Sequence, residues 1–284
     1  MEPATINLAS VVPRRGNLPQ LELAMEPPKP SAPHHCVIIP SYNSGALLQP
    51  TLRAALLHWP HVLLVVDGSD DGSDSSAEAI AEGEASLQIL RLTQNQGKGG
   101  AVLEGLRLAL SQGFTHAIIF DSDGQHESAD IPKMIAASNK YPEAMILGVP
   151  IFGEDAPTLR VIGRQAGNWW TNFETLWGGI EDSLFGFRLY PIEESIAVLS
   201  SIRSGKRFDF ETQLAVRLYW RGIPAVSFPS RVTYPQKQEG GVSHFKYIRD
   251  NMLLIYTHLG LSFRAVLMLP YLLRLRNTNK AYRE

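Results

Sequence analysis

His116-Ala117-Ile118-Ile119-Phe120-Asp121-Ser122-Asp123-Gly124-Gln125-His126 sets a short apolar run directly against two carboxylates. A continuous apolar run of this length fits a strand buried on both faces. Similar runs lie at residues 35–40, 62–66, 87–92 and 144–149. Between them apolar residues recur at helical spacing, as at Ala101, Leu103, Leu106 and Leu110. Strands alternating with helices predict an α/β fold, a mostly parallel sheet flanked by helices. Polar and glycine residues gather just past the ends of the runs, at 41–45, 67–72, 95–100 and 121–123. In open parallel sheets that carboxyl edge is where ligands bind, so a nucleotide-type site is expected there.

The chain has 284 residues, 44% hydrophobic and 19% charged, enough for one large domain. Its formal net charge of -2 supplies no global basic field, so no nucleic-acid partner is expected. The single cysteine, Cys36, lies in an apolar run and reads as a small core residue. It excludes a disulfide scaffold and fits a reducing, cytoplasmic setting. Residues 1–20 lack a basic start followed by an apolar stretch, so no signal peptide is expected. No stretch reaches the ~20 apolar residues that a membrane-spanning helix needs. The longest apolar region, 252–275, is broken by His258, Gly260, Arg264, Pro270 and Arg274. Three segments are expected: a flexible Pro-rich arm over 1–33, a main domain over 34–245, and a basic, amphipathic helical segment over 246–284. In the second half, helices are expected over 159–177 and 208–221, with strands over 185–191 and 224–228.

Three strand ends carry chemistry. Asp121 and Asp123 can leave the sheet pattern together and meet one hard cation such as Mg²⁺, which takes oxygen ligands and keeps substrate phosphates in its shell. Alone, such a pair reads first as a solvated turn; after a buried strand it points to a metal. Asp67, in Val66-Asp67-Gly68-Ser69-Asp70-Asp71-Gly72-Ser73, can accept hydrogen bonds from a base or ribose, while Ser73 or Asp74 caps the next helix. Lys98, in Asn95-Gln96-Gly97-Lys98-Gly99-Gly100, stands at a helix start and can meet a phosphate there; an exposed lysine in a glycine turn is the bland alternative. The stretch fits neither a Walker loop nor a dinucleotide fingerprint, because Leu92, Gly99 and Val102 stand at the deciding positions.

In order along the chain, Ile38-Ile39-Pro40-Ser41-Tyr42-Asn43, the Asp67 segment, Asn95-Gln96-Gly97-Lys98-Gly99 and Asp121-Ser122-Asp123-Gly124-Gln125-His126 resemble family 2 glycosyltransferases of the GT-A fold, dolichyl-phosphate mannose synthase-like members among them. The resemblance covers about residues 34–247. It implies inverting transfer from a UDP- or GDP-sugar with Mg²⁺ or Mn²⁺. By position, Pro40, Tyr42 and Asp67 hold the nucleoside, with Asn43 in the same binding loop. Asp121 and Asp123 sit at the diphosphate and metal, with Gln125 a further ligand. Two departures stand out. Val66 replaces the first of two adjacent Asp residues, and the Gly-Ser-Arg of mannose synthases is here Leu147-Gly148-Val149-Pro150.

The resemblance extends into the second half. Asp182-Ser183-Leu184-Phe185-Gly186-Phe187-Arg188 resembles a segment near the acceptor, which makes Asp182 a catalytic candidate and Arg188, with Arg160 and Arg164, a phosphate-positioning one. Phe208-Asp209-Phe210-Glu211 resembles the helix start where processive relatives keep a catalytic base. Glu211 matches that base and Asp209 neighbours it; acidic residues are also simply favoured in a first helical turn. Gly240-Gly241-Val242-Ser243-His244-Phe245 resembles a loop that closes over the donor, with His244 able to bind phosphate or metal. His126 is expected to act behind the site or structurally. The basic, apolar C-terminus, with Lys246, Arg249, Arg264, Arg274 and Arg276 beside Phe263 and Tyr271, fits a membrane interface or packing on the core. The resemblance implies a lipid-linked acceptor, and the membrane-interface reading puts a cytoplasmic protein peripherally on the inner face of the cytoplasmic membrane. Two rivals remain open here: a nucleotidyltransferase making nucleotide sugars, and a non-catalytic nucleotide-sugar binding module.

Overall fold

A computed structural model describes residues 34–152, 158–202, 209–233 and 247–282. The expected arm over 1–33 and the loop carrying His244 lie outside the described residues. The strands are β1 (His35–Ser41), β2 (Val62–Asp67), β3 (Leu87–Leu92), β4 (His116–Ile119), β5 (Met145–Ile151), β6 (Arg188–Pro191) and β7 (Ala225–Arg231). They form one seven-stranded sheet in the order β3-β2-β1-β4-β6-β5-β7. The helices are α1 (Leu48–His58), α2 (Ser73–Ala81), α3 (Lys98–Ser111), α4 (Ile131–Lys140), α5 (Thr158–Thr175), α6 (Ile192–Ser201), α7 (Phe210–Trp220), α8 (Tyr247–Leu267) and α9 (Leu269–Thr278).

Residues alternate across the sheet as the two-residue strand period requires. Ile38, Leu63 and Val65 join a core with α3, α6, α7, α8 and α9. Val37, Ile39, Leu64 and Val66 join the opposite core with α1, α2 and α4. Pro40 in a central strand breaks no ladder bond. Ile38 accepts from Phe120 on the β4 side, and alternation turns Pro40 to that same side, past the last β1–β4 partners, Ile38 and Ile119.

The structure departs from expectation at two elements. β6 runs antiparallel to both β4 and β5 and starts at Arg188 rather than residue 185. Phe185 is held back in a tight turn, its N–H bonded to Asp182 Oδ1 at 2.7 Å. Helix α6 follows β6 without a break and was not anticipated, because no polar or glycine punctuation separates strand from helix. The expected cap of α2 is also absent: Gly72 holds the cap position in a left-handed conformation, and Ser73 instead donates to Asp71 from both backbone and hydroxyl.

Candidate active site

In the strand order the sheet extends from β1 through β2 in one direction and through β4 in the other, so the loops after β1 and β4 flank a crevice at its carboxyl edge. A chain of hydroxyls crosses it: Ser41 to Ser44 at 2.8 Å, then Ser44 to Ser122 at 2.7 Å. The loops after β1 and β2 are stitched together by Asn43. Its side-chain amide donates to Asp70 at 2.8 Å, and its carbonyl oxygen accepts from the Asp70 backbone at 3.0 Å. Asn43 adopts a φ of 47°, a conformation asparagine tolerates better than most residues. Asn43 thus builds the wall of the crevice. Half-buried Tyr42 follows the end of β1 directly, and Pro40 is buried within that strand.

At the end of β4 lies a compact charged cluster. Lys98, the first residue of α3, reaches across so that Nζ stands 2.6 Å from Asp121 Oδ1 and 2.5 Å from Glu211 Oε1. Glu211 sits in the first turn of α7 and is only 6% exposed. The other oxygen of Asp121 faces His126 Nε2 at 3.3 Å. His126 is stacked on Phe187 and meets the rings of Phe120 and Phe185 edge-on, so three aromatic rings fix the imidazole behind the carboxylate. Burial works to raise the Asp121 carboxyl, but the Lys98 ammonium and His126 overcome it and hold Asp121 well below the usual carboxylate range. Burial likewise works to lower Lys98, and the carboxylates of Asp121 and Glu211 overcome it in the opposite sense. Asp123 is pushed up, first by burial and then by the negative charge of Asp121. Lys98 and His126 oppose both effects without overcoming them. Gly186 is the residue that makes room: a Cβ there would stand 2.4 Å from Asp121 Oδ2 and 3.0 Å from Lys98 Nζ.

The other expected site residues have the following surroundings. Lys98 is not the exposed lysine of a glycine turn: two carboxylates hold its ammonium. Arg188 is 1% exposed, and its guanidinium bonds the carbonyls of Phe185, Asp182 and Glu211 and the Tyr190 hydroxyl. Asp182 is buried and accepts from Arg164, Asn168 and the backbone of Leu184 and Phe185, which fixes the turn before β6. Asp209 is wholly buried; its Oδ2 accepts from Gln213 at 2.9 Å and from Thr257 of α8 at 3.1 Å. Through these bonds it ties α7 to α8. Asp67 takes the backbone N–H groups of Gln96 and Gly97 at 2.7 and 2.9 Å, so it bears on the site by shaping the loop that delivers Lys98. Burial raises its carboxyl, and these two N–H bonds pull the other way. The side chain of Arg160 lies outside the described residues.

The donor set suits a hard divalent ion. Asp121 Oδ1 is buried against the Lys98 ammonium at 2.6 Å, and Asp123, two residues on, accepts an N–H bond from Gln125 at 3.1 Å. No group of three or more His, Cys, Asp or Glu side chains converges among the described residues. Two carboxylates alone under-fill the shell of Mg²⁺ or Mn²⁺ and leave positions for substrate oxygens, the usual arrangement where such ions meet phosphates.

One further pair of features bears on the site. On α8, Met252, Ile255, Tyr256, Leu259, Phe263, Val266 and Leu267 are 44% to 74% exposed and fall at helical spacing along one face. The opposite face is buried through Leu261 and Ala265, and His258 bonds the buried Glu174 of α5 at 3.0 Å. α8 and α9 meet at a bend of 87°, and no single helix among the described residues is long and apolar enough to cross a membrane. Glu174 and His258 carry no local motif, and sequence reasoning missed them.

Comparison with known proteins agrees with this architecture. The family described as Glycosyl transferase family 2 matches residues 36–190. An undecaprenyl-phosphate mannosyltransferase of Micrococcus luteus is 26% identical over 80% of this chain and 94% of its own length. A polyprenol monophosphomannose synthase of Mycolicibacterium smegmatis is 26% identical over 72% of this chain and 78% of its own. Among solved structures, a mannosyltransferase from Pyrobaculum calidifontis in complex with GDP-Man and Mn2+ shares the fold with a TM-score of 0.55 at 17% identity, covering 88% of this chain and 75% of that one. With more than half of its length matched, the strand order of a GT-A sheet and an acidic pair at the carboxyl edge, this chain belongs to the family 2 glycosyltransferases and is a sugar-transferring enzyme.

Proposed function

We propose that this enzyme transfers a glycosyl group, with inversion, from a UDP- or GDP-sugar to a lipid-linked acceptor, a polyprenyl phosphate or a glycolipid-type hydroxyl, at a membrane surface. The observation that carries the proposal is the cluster of Asp121, Asp123, Lys98 and Glu211 at the carboxyl edge, on a domain whose α8 presents an unbroken apolar face. The names of the two relatives, one acting with undecaprenyl phosphate and one with polyprenol, support the acceptor class. In this scheme Asp121 and Asp123, with Gln125 alongside, hold Mg²⁺ or Mn²⁺, which supplies charge neutralisation at the departing diphosphate. In the same scheme Glu211 takes the proton from an attacking hydroxyl. A phosphate acceptor, largely ionised above its second pKa of about 6, needs no such base.

The apolar face of α8 and the exposed Arg264 and Arg274 support contact with a lipid surface, apolar side chains in the acyl boundary and cations at anionic headgroups. This is tested with the double variant Leu259→Glu/Phe263→Glu, whose positions are exposed and not needed for the core. It is expected to stop floating with anionic vesicles and to lose about tenfold or more in transfer to an acceptor embedded in them, by removal of buried apolar area. Transfer to a short-chain, water-soluble acceptor should stay at the wild-type level. Equal flotation of the two proteins would remove the membrane half of the proposal.

Gly186→Ala tests the geometry from the protein side. The new methyl would displace Asp121 or Lys98 by roughly an ångström, and misplacement on that scale costs about a hundredfold in rate. The measurement is kcat/KM beside the melting temperature, with activity falling and stability nearly held.

A further inference from the structure

We propose that Lys98 is a resident counter-cation of Asp121, which a divalent ion must displace, so that Lys98 sets how weakly the empty-handed enzyme binds metal and makes metal binding depend on the donor. This rests on the assignment of Asp121 and Asp123 to the metal, and it concerns what this chain's own lysine does to that site.

The geometry is unusual for a lysine at a helix start. Such a side chain could extend to solvent; here it is folded inward by two carboxylates that come from the end of β4 and from α7. The loop that delivers it is pinned from below by Asp67 through Gln96 and Gly97. The space it occupies exists because residue 186 has no side chain. The ring of Phe210 lies 5.8 Å from Nζ, which adds a favourable face for the cation. Nζ therefore sits within contact distance of an oxygen that a metal would use, in a partly dehydrated cluster where charges are weakly screened.

Two consequences follow from charge alone. A divalent ion placed on Asp121 meets a positive charge a few ångströms away, which opposes binding until the ammonium moves or gains a further anion. The diphosphate of a nucleotide is such an anion, and it can accept the ammonium that Asp121 releases while Glu211 keeps hold of it from the other side. Metal and nucleotide then bind with positive coupling, each raising the affinity of the other by the same factor. A metal site without a nucleotide stays mostly empty, and Asp121 is never left as an unneutralised buried carboxylate.

The test is a titration with Mn²⁺ alone, free Mn²⁺ being counted by its electron paramagnetic resonance signal, repeated in the presence of GDP and of UDP. Lys98→Met is expected to bind Mn²⁺ alone at least about tenfold more tightly than wild type, and to lose most of the enhancement by nucleotide. Lys98→Arg keeps the charge and should stay within about threefold of wild type. Lys98→Gln, which keeps a hydrogen-bond donor for both carboxylates while losing the charge, carries the same expectation as Lys98→Met and serves if the methionine variant does not fold. Asp123→Ala separates this inference from the metal assignment. If Asp123→Ala loses Mn²⁺ while neutral Lys98 variants bind it no more tightly than wild type, the counter-cation role is overturned and the metal site stands. If Asp123→Ala binds Mn²⁺ as wild type does, both fall.

Discussion

Asp123→Ala is expected to lower sugar transfer by about a thousandfold and to abolish the Mn²⁺ dependence of donor binding, while the protein melts no earlier than wild type. The rate figure follows from removing about 4 kcal/mol of charge stabilisation from a departing diphosphate, at roughly 1.4 kcal/mol per factor of ten. The stability figure follows from the sign of the carboxyl shift. Asp123 titrates above its ordinary value, because burial and the charge of Asp121 both disfavour its ionised form. A carboxyl raised in the folded state costs stability at every pH above its folded pKa, so at neutral pH its removal relieves a penalty. Few substitutions in a buried site combine a large loss of rate with a held or raised melting temperature. Calorimetry alongside a transfer assay reads both. A variant that melts early and loses activity in proportion would mark Asp123 as a structural residue instead.

Glu211→Gln is expected to divide acceptors into two classes. With a hydroxyl acceptor, loss of the base costs about a hundredfold to ten-thousandfold in kcat. With a polyprenyl phosphate the nucleophile arrives ionised, and the rate should stay within about threefold of wild type above pH 7. The fold should tolerate the change: glutamine preserves the shape and an oxygen for Lys98, and the Arg188 bond goes to the backbone carbonyl of Glu211, which the substitution does not touch. Rates with the two acceptor types, each at saturating donor, decide the matter. An equal and large loss with both would show that Glu211 orients the site through Lys98 rather than taking a proton.

How far the chain was legible before its structure varies with the kind of information asked for. The first five strands and the helices between them were readable because buried runs and helical spacing alternate without ambiguity, and because polar loops mark each strand end. The same loops announced the site. β6 was harder: its pattern shows a strand but carries nothing about direction, and it feeds α6 with no polar break. Side-chain destinations were the least legible. Arg188 looks like a phosphate ligand in its motif; its guanidinium bonds the nearby carbonyls of residues 182 and 185 and that of Glu211, which only folding brings to it. Lys98 and Glu211 are 113 positions apart, and no local spacing relates them. Asp182 and Asp209 are acidic residues near motifs, and the several donors that each accepts from when buried could not be read from the chain. Glycine 186 could have been singled out as a position needing close approach, but nothing in the chain names the partner it admits.

The central claim is that a sugar leaves a nucleoside diphosphate at the Asp121–Asp123 edge and arrives, inverted, on a lipid-linked acceptor. Its most direct test is the product itself. The full chain is incubated with Mn²⁺, vesicle-embedded polyprenyl phosphate and, in turn, GDP- and UDP-sugars of known anomeric configuration, and the lipid fraction is read by mass spectrometry and proton NMR. One donor class should yield a lipid-linked sugar of opposite anomeric configuration, with release of the nucleoside diphosphate, and none should form with Asp123→Ala. Retained configuration, transfer undiminished in Asp123→Ala, or pyrophosphate released from a nucleoside triphosphate and sugar phosphate would contradict it.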